Sequence, residues 1–133
     1  MSERKRVLIG EDDASILKMT KIRLEHEGFD AITAEDGQEV LEQAASHLPI
    51  PRILLDLMLP KLNGYQVCRR LRQHTPTAGI PVIVFSASES HLSHLADRCI
   101  EVGANDWIKK PFRTKDLMVK IYHLLGEEGS SHG

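Results

Sequence analysis

Short apolar runs alternate with stretches of helical periodicity five times along the 133 residues. The runs are rich in Val and Ile, as expected of strands that are buried on both faces of a parallel sheet. They are Val7 to Gly10, Phe29 to Thr33, Ile53 to Asp56, Val82 to Ser86 and Asp106 to Lys109. The alternation predicts one α/β domain with a parallel sheet, right-handed crossovers and helices on both faces.

Amphipathic stretches between and after these runs have apolar residues three and four positions apart, and they predict five helices. The first is predicted over Ala14 to Glu27. Glycine is common just past a helix end because it adopts a left-handed conformation at little steric cost. Gly28 and Gly103 are therefore predicted to end the first and fourth helices, and Pro49 and Pro51 to break the chain after the second.

Composition limits the classes of partner and the compartment. The net charge of −2 gives no electrostatic reason for direct binding to nucleic acid or to an anionic membrane. No run approaches the roughly 20 apolar residues of a membrane span, and no signal peptide is recognisable. Cys68 and Cys99 lie among apolar residues without a CxxC spacing, which predicts buried reduced thiols and a cytoplasmic protein.

Three adjacent carboxylates, Glu11, Asp12 and Asp13, directly follow the first predicted strand. Two carboxylates about 4 Å apart repel by roughly 4 kcal/mol at an effective dielectric of about 20, so the cluster must be solvated, protonated or neutralised by a cation. An acidic, solvated start to the first helix explains these three residues equally well when they are considered alone.

Asp56, Ser86 and Lys110 stand at the ends of the third, fourth and fifth predicted strands. In a parallel sheet these ends form one edge, where ligands bind. An acidic cluster there can hold a hard divalent cation, Asp56 can attack an electrophile, and a hydroxyl and an ammonium can bind an oxyanion. Each residue alone is more often structural, but together they indicate a phosphoryl group as the electrophile.

Four motifs occur in order at these strand ends: "VLIGEDD", "ILLDLMLPKLNGYQV", "VIVFSAS" and "GANDWIKKPF". From about Arg6 to Leu125 the chain resembles the receiver domains of two-component response regulators. The resemblance implies a doubly wound, flavodoxin-like (βα)5 fold with strand order 2-1-3-4-5. It implies a receiver domain over residues 5–126 and a short flexible C-terminal tail over 127–133. Because so few residues follow the fifth helix, we expect either a stand-alone receiver or one excised from a longer protein.

The resemblance also implies a metal site for Mg²⁺, with Mn²⁺ as an alternative ion. Its ligands would be Glu11, Asp12, Asp56 and the backbone carbonyl of Met58, with Asp12 binding directly and Glu11 acting more through water. Mg²⁺ suits such a site because it accepts few carboxylates and keeps places for waters and a phosphoryl oxygen.

In the same family, Asp56 corresponds to the phosphoacceptor, and Ser86 and Lys110 to the residues that hold the phosphoryl oxygens. Trp107 occupies the position of the switching aromatic residue, where Tyr or Phe is commoner. The implied donor is a histidine kinase or a phosphotransfer protein. Phosphorylation would change the face made of the fourth helix, fifth strand and fifth helix, to which a downstream protein or a second copy of the chain would bind. The protein would assist its own phosphorylation and slow dephosphorylation without being an enzyme.

Two alternatives belong to other classes. A phosphohydrolase of the haloacid dehalogenase type also uses Asp, Mg²⁺ and Lys on a parallel sheet, but it requires a second Asp two residues after the nucleophile, where this chain has Met58. A pseudo-receiver that serves only as a binding module requires the loss of a site residue, and the sequence retains all of them.

Overall fold

The structure, a computed structural model, describes residues 5–50, 52–86, 97–110 and 112–124. Five strands form one parallel sheet: β1 (Arg6–Gly10), β2 (Asp30–Ala34), β3 (Arg52–Asp56), β4 (Val82–Ser86) and β5 (Asp106–Lys109). The described helical segments are α1 (Ala14–His26), α2 (Gly37–Ser46), α3 (Gly64–Gln73), α4 (residues 97–101) and α5 (Thr114–Leu124), with a 3₁₀ turn at Thr75–Thr77. The strand order β2-β1-β3-β4-β5 confirms the doubly wound, flavodoxin-like α/β fold.

Burial follows the position of each strand in the sheet. The central strand β3 is buried along its whole length, and β1 is buried at all but its first residue. The two edge strands, β2 and β5, are each only partly buried. Strands covered on both faces need apolar side chains on both faces, which explains the continuous Val, Ile and Leu runs in the sequence.

The hydrophobic core has two parts, one on each face of the sheet. On one face, residues such as Leu55 of β3 pack with Val40 of α2 and Cys68 of α3. On the other face, residues such as Phe85 of β4 pack with Leu24 of α1 and Ile121 of α5. The helices therefore fix the sheet from both sides and leave its carboxyl edge open for polar residues. Cys68 and Cys99 are free and buried, as predicted.

The predicted start of the second strand at Phe29 is wrong by one residue. Phe29 instead completes the C-terminal cap of α1, because its N–H donates to the Leu24 carbonyl at 2.9 Å while Gly28 takes a φ of 97°. The strand instead begins at Asp30, which pairs with Arg6, and it continues through Ala34. Strands β1 and β3 each begin one residue earlier than predicted.

The other predicted helix stops agree with the structure where it describes them, and Pro51 lies outside the described residues. Gly103, two residues after the end of α4, has a φ of 118°, and the Ala104 N–H donates to the Cys99 carbonyl at 2.9 Å. Helix α2 ends at Ser46, before Pro49. The predicted end of the receiver domain at residue 126 and the tail 127–133 lie outside the described residues. Among the helices that the structure describes, none is long and apolar enough to cross a membrane.

Candidate functional site

The strand register brings the predicted site residues to one edge of the sheet. Gly10 of β1 lies beside Leu55 of β3, so Glu11 follows β1 next to Asp56, the last residue of β3. On the other side, Ser86 of β4 pairs with Lys109 of β5, and Lys110 comes next. Residues from four separate parts of the chain therefore meet at the carboxyl edge. The side chain of Ser86 lies outside the described part of the structure.

Three carboxylates converge at this edge. Glu11, Asp12 and Asp56 each offer an oxygen atom, and these oxygens lie within 4.8 Å of one another. Glu11 and Asp56 are buried, at 0% and 5% exposure, whereas Asp12 is exposed. Carboxylate oxygens are the hard donors that Mg²⁺ and Ca²⁺ prefer, and the exposed side leaves room for further ligands. The cluster is therefore compatible with a divalent metal site.

Lys110 supplies positive charge to the same group. Its Nζ lies 3.0 Å from Glu11 Oε1 and 3.3 Å from Asp56 Oδ2, and its side chain is 21% exposed. Burial lowers the pKa of Lys110, but the charges of Asp56 and Glu11 outweigh this effect and the net shift is upward. Lys110 therefore remains protonated and bridges the two buried carboxylates.

Glu11 is the residue whose ionisation the site changes most clearly. Burial and the nearby charge of Asp56 raise the pKa of Glu11 to about 7, against the opposing effects of the Asp13 N–H and Lys110. One ammonium faces three carboxylates, so this group carries two uncompensated negative charges when all three are ionised. Such a group attracts a divalent cation.

Backbone groups orient the two buried carboxylates. The Asp13 N–H donates to Glu11 Oε2 at 3.1 Å, and the Met58 N–H donates to Asp56 Oδ1 at 3.3 Å. Asp13 itself caps α1, since its side chain accepts hydrogen bonds from the N–H groups of Ser15 and Ile16. Asp13 thus serves as the acidic helix start, while its two predecessors face the cluster.

Trp107 lies apart from the carboxylates, on β5. It pairs with Val84 of β4, two residues before Ser86, and its side chain is 37% exposed. Its backbone N–H donates to the Asp106 side chain at 2.8 Å. The indole is therefore partly in solvent and on the strand next to the one that carries Ser86.

Two residues that contact the loop after Asp56, Asp36 and Gly37, were not predicted from the sequence. The Asp36 carboxylate lies 3.5 Å from the Lys61 ammonium, and the Gly37 N–H donates to the Pro60 carbonyl at 3.0 Å. The available signal was the Asp36-Gly37 pair, one residue beyond the end of β2, because an Asp-Gly pair marks a turn or a helix start. This Asp-Gly signal gave no indication of which distant loop would pack on the start of α2.

The fold and the site define a flavodoxin-like α/β protein with an acidic, metal-compatible cluster at the carboxyl edge of its sheet. Residues 7–122 match the response regulator receiver domain family, and the chain belongs to this family. The predicted resemblance is thereby confirmed.

Individual relatives agree with the assignment. The alkaline phosphatase synthesis transcriptional regulatory protein PhoP of Bacillus subtilis is 35% identical over 121 residues, which cover 91% of this chain and 48% of PhoP. The response regulator ArlR of Staphylococcus aureus is 36% identical over 119 residues, which cover 90% of this chain and 52% of ArlR. The chain thus spans about half the length of the curated relatives it matches.

A solved structure with a similar fold is a putative response regulator from Chloroflexus aurantiacus, with a TM-score of 0.86 and 30% identity, covering 94% of this chain and 100% of that one. Another is the receiver domain of a sensor histidine kinase from Pseudomonas aeruginosa, with a magnesium ion coordinated in its active site cleft. It has a TM-score of 0.83 and 25% identity, and covers 94% of this chain and 100% of that one.

Proposed function

We propose that the chain is the phosphoacceptor receiver of a two-component phosphorelay, in which Mg²⁺-dependent phosphorylation of Asp56 switches a protein-binding face. The observation that carries this proposal is the position of Lys110, which bridges Glu11 and Asp56 beside the exposed Asp12. The nucleophile, the metal-compatible carboxylates and a cation for the phosphoryl oxygens then lie in one open cluster.

The Asp56 carboxylate is held ready to act as the nucleophile. Its Oδ1 accepts from the Met58 N–H and its Oδ2 contacts Lys110. One of these oxygens attacks the phosphorus of a phosphohistidine on a histidine kinase or phosphotransfer protein. The new P–O bond forms as the P–N bond breaks, and the leaving imidazole keeps the electron pair and takes up a proton from solvent. Lys110 and the Ser86 hydroxyl then bind oxygens of the acyl phosphate.

The proposed metal ligands are Glu11, Asp12, Asp56 and the backbone carbonyl of Met58. When bound there, Mg²⁺ or Mn²⁺ would supply positive charge to offset the negative charge of the phosphoryl oxygens. The three carboxylates supply hard oxygen donors, and the exposure of Asp12 leaves the site open to water. The magnesium ion in the similar Pseudomonas receiver domain supports this choice of metal.

The two alternative functions have less support. The Met58 side chain is 54% exposed and thioether chemistry supplies no general acid or base, so the second catalytic group of a haloacid dehalogenase is missing at its expected position. This site therefore suits slow turnover, and we do not assign the chain as an enzyme. A pseudo-receiver is disfavoured because Asp12, Asp56 and Lys110 are all present and close together.

The switching face is proposed to be α4, β5 and α5. Each of these elements exposes a large apolar side chain: Ile100 of α4 at 40%, Trp107 of β5 at 37% and Val119 of α5 at 63%. Apolar exposure of this kind suits a surface that a partner covers. The proposed partner is a downstream protein, and a second copy of the phosphorylated chain could bind to the same face.

The receiver is proposed to span residues 5–126 and to act in the cytoplasm.

Metal dependence provides a test of the proposed function. After incubation with a small phosphodonor such as acetyl phosphate, intact-mass measurement is expected to show one added phosphoryl group with Mg²⁺ and none with a chelator. We expect a metal dissociation constant on the order of 1 mM, about 4 kcal/mol of binding free energy. Asp12→Ala removes one proposed ligand and is expected to need at least roughly tenfold more Mg²⁺, about 1.4 kcal/mol. Equal Mg²⁺ dependence in parent and variant would remove Asp12 from the metal site.

Trp107 fluorescence provides a second test, directed at the switch. If the indole moves inward, it can bury up to about a third of its roughly 250 Å², which favours the active state by about 2 kcal/mol at about 25 cal/mol per Å². We expect its emission to change when beryllofluoride, a phosphoryl mimic, is added to the Mg²⁺-loaded protein. The Ser86→Ala protein is expected to lack this further change. The same change in both proteins would show that Trp107 does not respond to the Ser86 hydroxyl.

A further inference from the structure

The loop between β3 and α3, residues 57–63, carries Met58, whose carbonyl is a proposed metal ligand. Leu57 and Leu59 are buried, at 0% and 6% exposure, whereas the Met58 side chain is 54% exposed. The Gly64 N–H donates to the Leu57 carbonyl at 2.8 Å and closes the loop. The position of the Met58 backbone therefore depends on what holds the rest of this closed loop.

The start of α2 holds the β3–α3 loop in place. The Gly37 N–H donates to the Pro60 carbonyl at 3.0 Å, and the Leu62 N–H donates to the same carbonyl at 2.8 Å. A Cβ atom built on Gly37 would lie 2.1 Å from the Leu62 carbonyl oxygen. The φ of Gly37 is not in the left-handed region, so glycine is required here for space and not for backbone conformation. The loop and α2 approach each other too closely for any side chain between them.

A second contact joins the same two elements. Lys61 has a φ of 70°, a conformation that residues with a side chain seldom adopt, and its ammonium lies 3.5 Å from Asp36 Oδ2. Asp36 also caps α2, since its Oδ1 accepts from the Glu39 N–H at 2.7 Å. The Lys61 side chain is 67% exposed, so this ion pair contributes little stability by itself.

We propose that Asp36 and Gly37 are positioning residues for the metal site. They hold the β3–α3 loop so that the Met58 carbonyl is presented to an ion beside Glu11, Asp12 and Asp56. The inference rests on the proposed function, because it assumes that this carbonyl binds Mg²⁺. Neither Asp36 nor Gly37 touches the metal in this account; both act through the loop.

The test compares Gly37→Ala with Gly79→Ala, a matched control in which the added Cβ meets nothing within 4 Å. Thermal unfolding followed over a series of Mg²⁺ concentrations gives an apparent dissociation constant for each protein. Gly37→Ala is expected to bind Mg²⁺ roughly tenfold more weakly, and Gly79→Ala to match the parent. A purely structural role at Gly37 would change the metal-free unfolding temperature and leave the Mg²⁺ dependence unchanged.

Asp36→Asn is a second variant, which keeps the helix cap because Asn also caps well but removes the charge that pairs with Lys61. We expect a loss of Mg²⁺ affinity of roughly two- to threefold that disappears at high salt, where exposed ion pairs are screened. If Gly37→Ala does not fold, the Mg²⁺ affinity of Asp36→Asn tests the inference by itself. Unchanged Mg²⁺ affinity in the folded variants overturns the inference alone, whereas a parent that does not respond to Mg²⁺ contradicts the proposed function itself.

Discussion

Lys110→Ala is expected to destabilise the metal-free protein by roughly 3 kcal/mol, the lower end of the cost of removing one partner from a buried ion pair. Lys110 contacts Glu11 at 3.0 Å and Asp56 at 3.3 Å, and both carboxylates are nearly inaccessible to solvent. Without the ammonium, these two groups repel each other, and one of them must take up a proton.

Added Mg²⁺ is expected to restore most of this loss. Because Lys110 is not a metal ligand in the proposed site, its removal also relieves positive charge next to the ion. The variant should therefore bind Mg²⁺ at least as tightly as the parent and gain more stability from it. With Mg²⁺ and beryllofluoride, however, the Trp107 emission change should be lost, since the fluorine atoms that stand in for phosphoryl oxygens no longer have the Lys110 ammonium as a partner.

Urea unfolding with and without Mg²⁺ measures the first effect, and Trp107 emission measures the second. Lys109→Ala is the matched control, because Lys109 is the exposed neighbour on β5 and the change removes the same charge from the chain. A Lys110→Ala protein that is folded but no longer responds to Mg²⁺ would contradict the assigned role, since the lysine would then be necessary for the metal site itself.

Much of the fold was predictable because strand interiors carry a local signal. Continuous Val, Ile and Leu runs are typical of strands covered on both faces, and glycines at 28 and 103 take the left-handed conformations that end helices. The error at Phe29 has a local cause as well. Its apolar side chain is typical of a strand residue, but its N–H completes the hydrogen bonding at the end of α1. A pattern of side chains does not reveal this backbone hydrogen bond.

That the candidate residues lie at one edge of the sheet was predictable, but their geometry was not. The ends of parallel strands had to meet, so Glu11, Asp56 and Lys110 could be placed at one edge. The bridging position of Lys110 and the contrast between buried Glu11 and exposed Asp12 depend on packing between distant segments. The contacts of Gly37 with Leu62 were unpredictable for the same reason, since nothing local relates the second helix to the loop after β3.

Asp56→Asn is expected to abolish phosphorylation completely, the largest effect of any substitution considered. The amide is nearly isosteric and can still accept the Met58 N–H, but it lacks the carboxylate charge needed to attack phosphorus. Asp13→Asn is the matched control. It makes the same change from acid to amide at Asp13, the residue that caps α1. Because Asn preserves the helix cap, phosphorylation should proceed as in the parent.

The measurement that tests the central claim is intact-mass analysis of parent, Asp56→Asn and Asp13→Asn after incubation with acetyl phosphate and Mg²⁺, with peptide mapping of any added group. We expect one phosphoryl group on the parent and on Asp13→Asn, mapped to Asp56, and none on Asp56→Asn. A folded Asp56→Asn protein that accepts a phosphoryl group as readily as the parent would contradict the central claim.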